Sequence, residues 1–94
     1  MPKYFPFKVA GYYIYFTMAC TVECMHAHAS DTKLTESGSA KLFIKSNGDT
    51  VVQRRGTVSD KDLRIIQQYI KKNYIVMFEM WSKYSSHGYY GENL

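Results

Sequence analysis

The chain is predicted to be an α+β domain: a twisted antiparallel sheet of four or five strands packed by two C-terminal helices. Three observations carry this. Runs rich in β-branched and aromatic residues fill the first half, helical periodicity fills the second, and the first-half segments are joined by connections too short for parallel crossovers. Ninety-four residues, 46% hydrophobic and 16% aromatic, are enough for one core without staples. We assign a single domain to residues 1–86 and a polar, glycine-containing flexible tail to 87–94.

Phe5 to Ala10 alternates apolar with other residues and Gly11 interrupts it, so a first strand is expected to turn back near Ala10 and Gly11. Pro6 cannot donate to a ladder, which places that segment at an edge. Tyr12 to Met18 is the second strand, with Ile14 and Phe16 expected inward and the tyrosine hydroxyls toward water. Cys24 to Ala29 is the third, followed by a polar loop over Asp31 to Gly38. Ala40 to Ile44 is the fourth, and Asn47-Gly48 is a strong hairpin signal before Thr50 to Gln53, the fifth.

Ser59 offers a hydroxyl cap, with Asp60 and Asp62 in the first turn where the helix dipole favours negative charge. Leu63, Ile66 and Ile70 then recur on one helical face. Asn73 is expected to stop this helix, because asparagine tolerates the left-handed conformation. Tyr74, Met77, Phe78, Trp81 and Tyr84 make an aromatic stripe on a second helix, read as a face packed on the sheet.

Twelve Lys and Arg against eight Asp and Glu leave +4 with neutral histidines, the excess of a solvated basic face. No charged and apolar leader with a cleavage site precedes Cys20 and Cys24, and no apolar run approaches the roughly 20 residues of a membrane-spanning helix. A soluble, cytoplasmic chain with free thiols is expected, without a membrane partner. Phosphate-binding glycine loops, Gly-x-Ser-x-Gly elbows and His-Glu-x-x-His motifs are absent from the sequence, and no cofactor is expected.

The run Cys24-Met25-His26-Ala27-His28 concentrates the chemistry. Side chains alternate across a strand, so Cys24, His26 and His28 would share one face. Three readings follow. As metal ligands, three same-face strand residues are too spread out to close a site, so a donor from elsewhere is needed, with His87, Cys20, Glu23 and Asp31 nearest. As a catalytic pair, His26 and His28 would exchange protons in a metal-independent ribonuclease or other phosphodiesterase, with Lys41, Lys45, Arg54 and Arg55 to hold the anion. As a structural pair, they satisfy hydrogen bonds in the sheet and orient the loop from Thr17 to Cys24. The abundant tyrosines point to core and to a protein contact, and an exposed edge at Phe5 to Ala10 would support a homodimer by strand pairing.

The order of features resembles a family of short bacterial proteins, domain-of-unknown-function family 4160. The resemblance rests on Phe7-Lys8-Val9, Gly11 to Phe16, Glu23 to His28, Ala40 to Ile44, Leu63 to Ile70, Asn73 and Trp81 to Tyr84. Where members of that family carry proline just before the histidine pair, this chain has Cys24-Met25. What the resemblance implies is a small protein encoded beside a second one in a toxin–antitoxin-like pair, with a protein partner or RNA as its target.

Overall fold

The computed structural model describes residues 2–31 and 39–91. Apart from Asp31, the loop expected over Asp31 to Gly38 lies outside them, as do residues 92–94 of the expected tail. The strands are β1 (Tyr13–Tyr15), β2 (His26–Ser30), β3 (Ala40–Ile44) and β4 (Thr50–Arg54), followed by one helix, α1 (Asp60–Trp81). All neighbours are antiparallel in the order β1-β2-β3-β4. The α+β class and the antiparallel sheet are therefore as expected; the fifth strand and the second helix are not.

The missing strand is Phe5 to Ala10. Its one isolated bridge joins Val9 to Tyr12 across the turn; the pairing with β1 lies before it, in the bridge of Lys3 with Tyr15 and the Tyr4 amide's bond to the Ile14 carbonyl. Pro6 has no amide to give a ladder, and Phe5 and Phe7 instead stack on each other at 5.6 Å and meet Tyr69 of the helix edge-on. The expected turn does form at Ala10 and Gly11, both with positive φ (54° and 87°).

α1 runs unbroken for 22 residues. Its start is as read from the sequence: the Asp62 amide donates to Ser59 Oγ at 3.2 Å. Asn73 does not stop it. No glycine or proline interrupts the run, and the Asn73 side-chain amide donates to the Tyr69 carbonyl one turn back, at 2.8 Å. The buried positions Ile66, Ile70, Met77 and Trp81 recur at spacings of four and seven, so both expected helices present the same face and merge into one.

Strand register sorts the side chains into two faces. Ile14 pairs with Ala29, Ala27 with Leu42, and Leu42 with Val52. This face is covered by α1, and Gln67 donates to Thr50 at 2.9 Å across the contact. On the other face Tyr15 pairs with His28, His28 with Lys41, and His26 with Phe43. Tyr15 is wholly buried there, a correction to the solvent-facing hydroxyl expected for it. After α1, Ser85 Oγ donates to the Thr21 carbonyl, the Met25 amide to Gly88, and the Tyr90 amide to Ile44. Residues 87–91 of the expected tail thus lie against the domain. No helix among the described residues is long and apolar enough to cross a membrane.

Candidate functional site

β2 places His26 and His28 two residues apart, and both rings project to the Tyr15 and Phe43 face of the sheet, with centroids 5.2 Å apart; the His26 ring also meets Trp81, at the end of α1, at 5.6 Å. Neither has any exposed surface. The third member is Cys20 and not Cys24. Residues 23–25 precede β2, so alternation does not extend back to Cys24, whose carbonyl instead lies 2.8 Å from His26 Nδ1. A 3₁₀ turn at Met18–Val22 folds Cys20 over the histidines and brings its Sγ to 3.2 Å from His28 Nε2. One ligand atom from each of Cys20, His26 and His28 lies within 4.8 Å of the other two.

Around this cluster the polar groups interlock. His28 Nδ1 is 3.0 Å from Ser39 Oγ, and Arg54 Nε donates to the Ser39 carbonyl at 2.9 Å. A register shift between Lys41 and Leu42 sets Arg54 opposite Lys41, where a regular ladder would place Gln53. The bulge therefore delivers a guanidinium to the histidine face. Lys41, on that face and nearly buried, donates to both oxygens of Glu23 at 3.0 and 3.1 Å. The Tyr4 hydroxyl donates to the His26 carbonyl at 2.9 Å, and burial, then Cys20, pushes its pKa well above the usual phenol value.

Electrostatics follow from this packing. Burial first, then the positive charges of His26, Lys41 and Arg54, lower His28 to a pKa of about 4, against a smaller opposing pull from the Ala40 backbone. Its ring is neutral at pH 7. Burial pulls the Glu23 carboxyl up, but the hydrogen bond and charge of Lys41, with His26 and His28 behind, outweigh it and hold Glu23 below its usual range.

Of the four expected anion-holding cations, Lys41 and Arg54 reach the histidine face and two do not. Lys45 lines an open cleft with Asp49, Thr50 and Gln67, and Arg55 pairs with Asp60 at the start of α1. Glu23, expected only as a spare metal donor, is instead paired with Lys41. Ser39 and Tyr15 were missed as site residues: each lies more than ten residues from His28 in sequence, so no local signal marks them. No family model matches the chain, and no curated protein or solved structure is significantly similar to it.

Proposed function

We propose that this chain acts by occupancy, as a small cytoplasmic interaction module of a toxin–antitoxin-like pair, binding a protein partner through an apolar surface. One observation supports this most directly: the chemically active side chains are sealed while large apolar ones face water. His26 and His28 have no exposure, whereas Met18, Val22 and Tyr84 are 56%, 74% and 46% exposed. Tyr84 rests on Phe16 at 5.5 Å, and its neighbour Ser85 is bonded to Thr21, so the three side chains project from segments tied together. Exposed apolar groups of this kind are a common mark of contact surfaces. The resemblance to family 4160 supplies the paired-gene setting.

The test is recovery of the tagged chain from its native host under gentle conditions. A stoichiometric protein partner is expected, lost on Val22→Asp in a variant with unchanged circular dichroism. Recovery of the chain alone would overturn the reading.

A ribonuclease or phosphodiesterase using His26 and His28 draws support from Lys41 and Arg54 on the same face. It has less, because a neutral, enclosed His28 is poorly placed to give a proton to a substrate at pH 7. Growth inhibition on expression in a heterologous bacterium, abolished by His26→Ala in a folded protein, would favour it over partner binding.

A further inference from the structure

Cys20, His26 and His28 carry chemistry that partner binding does not use. A three-coordinate ion with bonds of roughly 2.0 to 2.3 Å holds its donors roughly 3.5 to 3.7 Å apart. Here the sulfur and His28 Nε2 are 3.2 Å apart and no pair exceeds 4.8 Å, so closure asks for side-chain movements of about 1 Å. The donors come from the 3₁₀ turn and β2, both anchored by backbone bonds, so the cluster is largely formed in advance.

The outer contacts are also those of a ligand set. A carbonyl only accepts, so His26 Nδ1, 2.8 Å from the Cys24 oxygen, carries the ring proton and Nε2 carries the lone pair. His28 turns Nδ1 toward Ser39 Oγ and Nε2 toward the sulfur. Metal-bound imidazoles are held in this way, with the far N–H given to a carbonyl or hydroxyl. At the sulfur, the Thr17 amide donates at 3.3 Å and the Thr17 hydroxyl lies at 3.1 Å, contacts that favour a thiolate.

We propose that Cys20, His26 and His28 bind one monovalent copper ion through one sulfur and two nitrogens. Thiolate and imidazole together select copper(I) or zinc among the common ions. Coordination number and charge separate the two. Zinc takes four ligands, a water completing the set where a protein gives three; the cluster supplies three among the described residues, none with exposed surface through which solvent would complete the set. On binding, the Cys20 thiol gives its proton to solvent; thiolate and copper(I) then cancel, whereas a divalent ion leaves one positive charge beside Lys41 and Arg54. All three ligands are fully buried, and Glu23, a carboxylate close enough to feel both histidines, is engaged by Lys41. An uncompensated charge in such a place is strongly disfavoured.

The test is anaerobic titration of the reduced full chain with copper(I) against the chromophoric chelator bicinchoninate, with zinc measured in parallel. One equivalent of copper is expected, bound more tightly than zinc. Cys20→Ser and His28→Ala should each weaken copper by about 100-fold or more, since even the loss of an outer partner costs 10- to 100-fold. Cys24→Ser should bind as the parent does. Should either ligand variant fail to fold, the copper absorption edge and fine structure of the parent protein still decide, with one sulfur and two nitrogen neighbours expected. Substoichiometric copper, zinc bound more tightly, an unchanged Cys20→Ser, or loss on Cys24→Ser would each overturn the proposal.

Discussion

On the helix-covered face of the sheet, Ala27, Leu42 and Ile44 are sealed by aliphatic and aromatic side chains of α1. On the opposite face Tyr15, His26 and His28 are sealed as completely and Lys41 nearly so, yet they bring ring nitrogens, a hydroxyl and the stem of a charged side chain out of water. The two faces are almost equally closed and differently held. Burial of the first is favourable in itself and asks only for matching volume. Burial of the second is favourable only while each polar group keeps its partner, because a buried donor or acceptor that loses one bears its full desolvation cost. Acidity, charge and ligands should therefore act on the histidine face and leave its counterpart almost untouched.

The largest effect is expected where the faces meet. Trp81 stands 5.2 Å from Phe16 of the core and 5.6 Å from His26, and its indole N–H donates to the His87 carbonyl at 2.8 Å. Trp81→Ala empties both sides at once and should cost about 3 to 5 kcal/mol. For a domain of this size that lowers the melting temperature by at least roughly 12 °C, read by circular dichroism. A loss below about 1 kcal/mol, the range of an ordinary surface change, would mean that Trp81 does not join the two faces.

Acid should separate them. Unfolded, His28 titrates near its ordinary value of about 6.5; folded, it titrates at about 4. Between those values the unfolded chain binds more protons, so stability rises with pH. The contribution of neutral His28 is complete above about 6.5, shrinks as pH falls through the window, and is gone below about 4, for a total of about 3 kcal/mol. Glu23 works in the same sense at lower pH, but weakly, since its side chain is 41% exposed. Urea midpoints from pH 7.5 to 4 should fall for the parent chain and flatten in His28→Gln. Midpoints that do not change over this range in the parent would erase the contrast between the faces.

Much of the apolar face is legible in sequence, and little of the histidine face is. Ala40 to Ile44, the turn at Asn47-Gly48 and the Ser59 cap were read from local signals, because alternation, turn chemistry and capping act over two to five residues. The same-side placement of His26 and His28 follows from alternation alone. The break at Asn73 was misread because a residue that tolerates a left-handed stop also sits in a helix when its amide finds the carbonyl one turn back. Cys20 in place of Cys24, the Ser39 contact and the bulge that delivers Arg54 depend on tertiary folding, and a periodicity of two cannot encode them.

A smaller effect tests the sealing of the helix side. Gly48 has φ +88°, and an added Cβ would lie 2.6 Å from the Tyr74 ring. Gly48→Ala combines backbone strain with a displaced aromatic, and should cost about 1 to 3 kcal/mol. Chemical denaturation measures this directly, and the loss should be the same at pH 7 and pH 5, since the histidine face is not involved. A cost that grows on acidification would show that the two sides are not separable at this hairpin.

The smallest expected effect bears on what connects the faces. A single α1 covers the apolar face with Ile66 and Ile70 and then carries Trp81 to His26, so the link requires the helix to continue through Asn73. Inside a helix, alanine is the better former by several tenths of a kcal/mol, while the side-chain bond to Tyr69 is local and partly exposed to water. Asn73→Ala should therefore change stability by no more than about 0.7 kcal/mol, in the stabilising direction. Were Asn73 a left-handed stop between two helices, the same substitution would keep the Cβ strain but remove the local side-chain hydrogen bond by which asparagine tolerates that conformation, and would destabilise by about 0.5 to 1.5 kcal/mol. The sign of the shift in urea midpoint thus decides between one helix and two, and with it whether Trp81 is held at His26 by a continuous rigid element.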